Sequence, residues 1–154
     1  MEVAARRKKV LAIASGGGHW AQMMRILPAF DGHELVLAAV DAEYTAGIPA
    51  ARVYTVPDAN RWEKRSLLRS ARATARIVFR ERPDVVFTTG AAPGLFAIVF
   101  GRLVGARTIW LDSVANVDEV SLSGRLARPF STVCLTQWPK LAQPGRAEYA
   151  GRVF

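Results

Sequence analysis

Ser15-Gly16-Gly17-Gly18-His19-Trp20 is the first stretch of the chain whose residue types can do chemistry. Glycines that follow a strand let the backbone approach a phosphate, and the positive end of the next helix meets its charge. His19 adds an imidazole at that helix start, placed to accept a proton or to contact the phosphate. Thr88-Thr89-Gly90-Ala-Ala-Pro93-Gly94 repeats the device, so Thr89 and Gly90 join Ser15, Gly16, Gly17 and Gly18 as candidate phosphate ligands. An ordinary strand-to-helix turn accounts for this second loop equally well. Asp112, in Asp112-Ser113-Val-Ala-Asn116, is a second candidate for base or orienting carboxylate, with Ser113 and Asn116 as acceptor-binding neighbours. The first loop also satisfies a dinucleotide fingerprint, Gly16-x-Gly18-x-x-Ala21, with Asp41 following Val40 as the ribose carboxylate. A histidine directly after the glycines is foreign to that fingerprint. His33, beside Gly32 in a turn, and Cys134, inside an apolar run, read as structural.

The elements that must carry these residues alternate. Lys9 to Ala14 reads as a strand, His19 to Ala29 as a helix, Glu34 to Val40 as a buried strand and Arg52 to Val56 as a weaker one. A long helix covers Arg61 to Arg82 and ends at Pro83; Asp84 to Thr89 is a strand, Leu95 to Val104 an apolar helix expected in the core, and Arg107 to Asp112 a strand. Ser113 to Arg128 reads as loop plus helix, Ser131 to Leu135 as a last strand, and the tail from Gln137 as irregular. Strands and helices in that rhythm imply an α/β fold, a Rossmann-like doubly wound parallel sheet whose ligands bind beyond the carboxyl ends of the strands. Gly16 to His19, Gly90 to Gly94 and Asp112 to Asn116 all fall at such ends.

The long helix also carries Arg65, Arg69, Arg72, Arg76 and Arg80, spaced 4, 3, 4 and 4 residues. At about 100° per residue they fill an arc of roughly 80° opposite Leu67, Ala71 and Val78, the expected inner face. This outward stripe suits anionic lipid headgroups. Over the whole chain, 21 Lys+Arg against 13 Asp+Glu leave a net charge of +8, part of it in a basic N-terminal arm over residues 1–9. No recognition-helix pattern, aromatic interleaving or zinc spacing supports nucleic acid as the anionic partner. With 51% hydrophobic residues, 154 residues make one globular domain rather than a disordered chain. One cysteine allows no intrachain disulfide and no cysteine metal cluster, which points to a reducing compartment. No apolar run reaches the roughly 18–20 residues of a membrane span, and Val10 to Ala14 is too short for a signal-peptide core.

Ser15-Gly-Gly-Gly-His19, Thr89-Gly90, Asp112-Ser113-Val-Ala-Asn116, Leu122-Ser-Gly-Arg-Leu126 and Thr136-Gln137-Trp138…Tyr149-Ala-Gly151 follow in an order that resembles the acceptor-binding, membrane-associating subunit of a split glycosyltransferase. That family includes the anchor subunit of the dolichol-linked N-acetylglucosaminyltransferase and similar bacterial exopolysaccharide glycosyltransferase subunits. The resemblance runs from Val10 to Phe154. It implies the N-terminal half of a GT-B glycosyltransferase, with the donor-binding half on a separate polypeptide. Where the family commonly has Glu-Ser-x-Ala-Arg, this chain has Asp112-Ser113-Val114-Ala115-Asn116, and the resemblance does not extend to the membrane helix of the eukaryotic members.

The expectation is therefore a single acceptor-binding GT-B half-domain over 1–154, peripheral on the cytoplasmic face of a membrane. It binds a polyprenyl-diphosphate-linked glycan and pairs with a donor-binding subunit. The glycine loops hold the lipid diphosphate, and His19 or Asp112 is the base. The resemblance implies neither metal nor cofactor, the nucleotide-sugar donor resting mainly on the partner. A non-catalytic anchor and an NAD(P)-binding module are the alternatives.

Overall fold

A computed structural model describes residues 6–154; Met1 to Ala5 of the expected basic arm lie outside the described residues. Seven strands, all parallel, run β1 (Lys9–Ile13), β2 (Glu34–Ala39), β3 (Arg52–Thr55), β4 (Val85–Thr88), β5 (Arg107–Leu111), β6 (Val133–Thr136) and β7 (Glu148–Tyr149), in the sheet order β3-β2-β1-β4-β5-β6-β7. Strand order reverses between β1 and β4, which places the crevice of a doubly wound sheet there.

The central strands are apolar without interruption because helices cover both faces. Leu11 and Ile13 of β1 point, with Val36, Ala38, Val86 and Trp110, into one core. Ala12 and Ala14 point with Leu37, Ala39, Phe87 and Leu111 into the other, where Trp20, Met23 and Leu27 meet them. The second core belongs to α1 (Gly18–Ile26), and the first to α3 (Lys64–Glu81), α4 (Ala91–Leu103) and α5 (Leu122–Ala127). A single-turn α2 (Ala42–Thr45) follows β2.

Several expectations change. The face of α3 turned into the protein is Ser66, Ser70, Thr74, Ile77 and Val78, so Leu67 and Ala71 sit beside the buried seam rather than on it. Small side chains there let α3 lie close to its neighbours, and hydropathy alone cannot select them. α4 starts at Ala91, four residues before the expected Leu95, and it is not wholly core: Leu103 is exposed and Leu95 and Phe96 are half-buried. The tail is not irregular throughout, since Glu148 and Tyr149 pair with Leu135 and Thr136 as β7. Lys9 belongs to β1 and not to a free arm, its Nζ donating to the Glu81 carbonyl at 2.9 Å and pairing with the Glu81 carboxylate at 3.4 Å.

At this amino end of the strands Glu81 collects three elements. Arg52 holds it with Nε at 2.7 Å and Nη2 at 2.8 Å, the Tyr54 hydroxyl donates at 2.5 Å, and Arg52 also reaches Glu34 at 2.5 Å. Burial pushes the Glu81 carboxyl up, but the bonds from Arg52 and Tyr54 and the Arg52 charge prevail and hold it at about 2. Tyr54 is raised and Arg52 is held more firmly protonated by the same contacts. The brace leaves the opposite end of the sheet to carry the site.

Candidate functional site

Gly17 caps α1 with φ 61°, ψ −133°, a conformation open to glycine, so the chain turns sharply from β1 into the helix. Gly17 and Gly18 are exposed, and the amides of Gly18, His19 and Trp20, first in the helix, have no carbonyl partner within it. One place on this loop is occupied. Tyr44 of α2 accepts the Gly17 N–H on its hydroxyl at 3.2 Å and leans on Trp20, with ring centroids 5.8 Å apart. A side chain at Gly16 would strike that hydroxyl at 2.6 Å. Sequence reasoning missed Tyr44, whose position comes from β2 rather than from the loop it covers. Ser15 is buried two residues beyond the end of β1.

His19 is clamped by Thr89. Its Nδ1 lies 2.9 Å from the Thr89 carbonyl, and the Thr89 hydroxyl donates to the His19 carbonyl at 2.6 Å. A carbonyl only accepts, so in the neutral imidazole Nδ1 carries the proton and Nε2 keeps the lone pair. Gly90 makes room for the ring: with φ 126°, it would place any Cβ 2.9 Å from His19 Nδ1 and Cε1. Ala91 follows at φ 67°, a left-handed backbone costing roughly 1–3 kcal/mol in a non-glycine residue. Thr89 and Gly90 thus differ from the sequence expectation. Both are buried, the Thr89 carbonyl and hydroxyl go to His19, the Gly90 amide goes to the Thr88 hydroxyl at 3.1 Å, and together they form the seat of the imidazole.

Asp112 is buried beyond the end of β5 with both oxygens occupied. Oδ1 accepts from Trp110 Nε1 at 3.0 Å and the Ser121 hydroxyl at 2.6 Å; Oδ2 accepts from Asn116 Nδ2 and Ser121 N, each at 3.0 Å. Four donors on a carboxylate make an anchor for the 113–121 loop, and they leave it poorly placed to receive a substrate proton. Asn116 faces inward through this bond, and the Ser113 hydroxyl accepts from Gln22 Nε2 at 3.1 Å and Ala115 N at 3.2 Å. The Trp110 indole, 3.8 Å from a Cβ position on Gly90, lies between the imidazole seat and Asp112. His33 Nδ1 accepts from Lys8 N at 3.2 Å. One Asp41 oxygen caps α2 at Glu43 N, 2.9 Å away. Cys134 is buried, and burial first, with the Asp112 charge, pushes its thiol up to about 11.

Beside this crevice an apolar groove of about 660 Å³ opens between α3, α4 and α5. Leu67, Leu68, Ala92, Leu95, Phe96, Leu122 and Leu126 line it, and Arg61 and Lys64 stand at its edge. It begins where the crevice ends, since Ala92 is two residues past Gly90 and Ser121 holds Asp112. Within this groove Leu68 is 69% exposed, Leu126 53% and Leu122 51%, an apolar surface of the kind that marks an interaction site. Arg65, Arg69, Arg72, Arg76 and Arg80 are all exposed, and among the described residues only Arg69 of the five has a carboxylate partner, Glu63 at 3.8 Å.

The family described as "Oligosaccharide biosynthesis protein Alg14 like" matches residues 39–153. The chain belongs to this family. Similar to it are proteins named UDP-N-acetylglucosamine transferase subunit ALG14. The one from Eremothecium gossypii is 29% identical over 88% of this chain and 75% of its own length. The one from Schizosaccharomyces pombe is 28% identical over 96% of this chain and 84% of its own length. Among solved structures, MurG of Acinetobacter baumannii superposes with a TM-score of 0.75 at 12% identity, covering 94% of this chain and 45% of MurG. UDP-N-acetylglucosamine 2-epimerase of Rickettsia bellii superposes at 0.70 and 14%, covering 96% and 46%. The chain spans just under half the length of these structures, and its Rossmann-like sheet is that of the N-terminal half of a GT-B glycosyltransferase. No helix among the described residues is long and apolar enough to cross a membrane.

Proposed function

We propose that this Alg14-like chain is the acceptor-binding half of a two-part glycosyltransferase, transferring a sugar from a nucleotide sugar to a polyprenyl-diphosphate-linked acceptor at a membrane face. The relatives' name makes UDP-N-acetylglucosamine the first donor to try. The observation that carries the reading is the apolar, basic-edged groove between α3, α4 and α5, whose lining residues Ala92 and Ser121 adjoin the Gly90 seat of His19 and the Asp112 anchor. A lipid-linked substrate needs polar and apolar sites in continuity, and a soluble nucleotide needs only the first.

In this reading the acceptor diphosphate rests near the exposed first amides of α1, where the helix dipole favours negative charge. His19 Nε2 takes the proton of the acceptor hydroxyl as its oxygen attacks the anomeric carbon; the bond from that carbon to the diphosphate breaks, and the nucleoside diphosphate leaves on the donor-binding partner. The Thr89 carbonyl keeps the proton on Nδ1, so Nε2 is the nitrogen left with its lone pair. Asp112 acts through the loop it anchors. The arginine stripe and the groove hold this domain on the cytoplasmic leaflet.

The test is reconstitution. The chain alone should transfer no sugar from UDP-N-acetylglucosamine to a polyprenyl-diphosphate acceptor, and should do so once the donor-binding half is added. Within the pair, His19→Ala should cut turnover at least about a hundredfold, the lower end of what a general base supplies. If the pair is active and neither His19→Ala nor Asp112→Asn lowers turnover, the chain is a recruiting anchor; transfer by the chain alone overturns the two-part reading.

A further inference from the structure

Two buried glutamines join three loop regions that the sheet itself leaves unconnected. Gln22 is 2% exposed and Gln137 is fully buried. Gln22 Nε2 donates to the Gly18 carbonyl and to the Ser113 hydroxyl, both at 3.1 Å, while Oε1 accepts from Val114 N at 3.1 Å and from Gln137 Nε2. Gln137 Nε2 also donates to the Asp112 carbonyl at 3.0 Å, and its Oε1 accepts from Val153 N at 3.0 Å. An amide side chain has two donors and two acceptor sites. Gln22 uses all four and Gln137 uses three.

The glycine loop leaves β1 and the Ser113–Asn116 loop leaves β5, but β4 lies between those strands, so no ladder fixes one loop against the other. The glutamine pair bridges that gap. Burying two amides adds stability only when every bond is made, and an apolar pair would fill the same space without that demand. What the amides add is a fixed separation between Gly18, next to His19, and Ser113 and Val114.

We propose that Gln22 and Gln137 are positioning residues for sugar transfer, setting the Ser113–Asn116 loop at a fixed height over the glycine loop. The proposal rests on the transferase reading above. Neither side chain touches substrate. Their effect is on the geometry at which the hydroxyl meets His19 Nε2, and small misplacements there are costly in rate.

The experiment uses the pair of this chain with its donor-binding half and the variants Gln22→Met, Gln137→Met and Gln22→Glu. Thermal unfolding, kcat and KM for the polyprenyl-diphosphate acceptor are measured, with amide exchange over residues 112–117. At a temperature where each variant is folded, both Met variants should lose on the order of 10–100-fold in kcat, with KM changed by no more than about threefold. The Val114 amide should exchange faster in Gln22→Met. A kcat per folded complex within about twofold of the parent for both Met variants, or a rise in KM alone, overturns the proposal. Should the Met variants not fold, Gln22→Glu decides, because its carboxylate still accepts from Val114 N and Gln137 and loses the donation to Gly18. A kcat at least about threefold below the parent then upholds the proposal and one within about twofold overturns it. A parent pair that transfers no sugar removes the transferase reading and this inference together.

Discussion

The Thr89 carbonyl decides which nitrogen of His19 carries the proton, because an oxygen 2.9 Å from Nδ1 has no hydrogen to give and the nitrogen must donate. The clamp depends on Gly90, whose missing Cβ leaves space for the ring. Gly90→Ala should force the imidazole off this carbonyl and place alanine at φ 126°, costing roughly 1–3 kcal/mol. In the reconstituted pair kcat should fall more than KM rises, and the unfolding midpoint should drop by several degrees. Unchanged turnover in a folded Gly90→Ala pair would dissociate His19 from the chemistry.

Asp112→Asn tests anchor against base. The asparagine presents an amide NH2 where Asp112 accepted, so it faces the donors of Trp110, Ser121 or Asn116 without satisfying them. A buried donor left unpaired costs about 1–3 kcal/mol. Chemical denaturation should register that loss, and turnover per folded complex should fall less than in His19→Ala. A variant that is fully stable yet inactive would return the base to Asp112.

The alternation of buried strands and helices was legible because parallel strands covered on both faces are continuous apolar runs, as in Val10 to Ala14 and Leu35 to Val40. β7 was not, because two exposed residues, Glu148 and Tyr149, have no periodicity and owe their conformation to Leu135 and Thr136. The inner face of α3 misled for the reverse reason: Ser66, Ser70 and Thr74 are buried for their size, while Leu68 is exposed in the groove. His19 stood out locally, directly behind three glycines. Its clamp at Thr89 lies 70 residues away and the partner of Gln22 lies 115 away, contacts that only the folded sheet brings together.

Glu81 governs acid stability at the other end of the strands. Its folded carboxyl sits near 2, below the roughly 4.3 of an unfolded glutamate, so the folded state binds the proton less readily. The stabilisation is present above about pH 4.3 and is lost as pH falls from there through the folded value near 2. Glu81→Gln, with one charged acceptor gone for Arg52 and Tyr54, should lose about 1.5–3 kcal/mol at pH 7 and show a flatter stability curve between pH 4.5 and 2. Urea unfolding at successive pH values measures both.

The stripe and the groove make separable contributions to lipid. Arg69, Arg72 and Arg76 changed together to Glu should release the protein from anionic vesicles. At about 1 kcal/mol per basic residue near such a surface, loss of three attractions alone is roughly 3 kcal/mol, or about a hundredfold in partition. Added salt should do the same, screening exposed charges beyond about 10 Å at 0.1 M. Leu68→Asp with Leu126→Asp should behave differently, because burying each leucine is worth about 1.5–3 kcal/mol and salt does not screen that gain. If the groove holds the first isoprenoid units, this double variant should raise KM for a long polyprenyl acceptor and leave a short, water-soluble acceptor analogue unaffected. The arginine variant should weaken vesicle binding without altering turnover of the short analogue. A groove variant that affects long and short acceptors equally would mean the apolar surface covers something other than the lipid chain, and vesicle binding indifferent to both charge reversal and salt would end the case for the stripe.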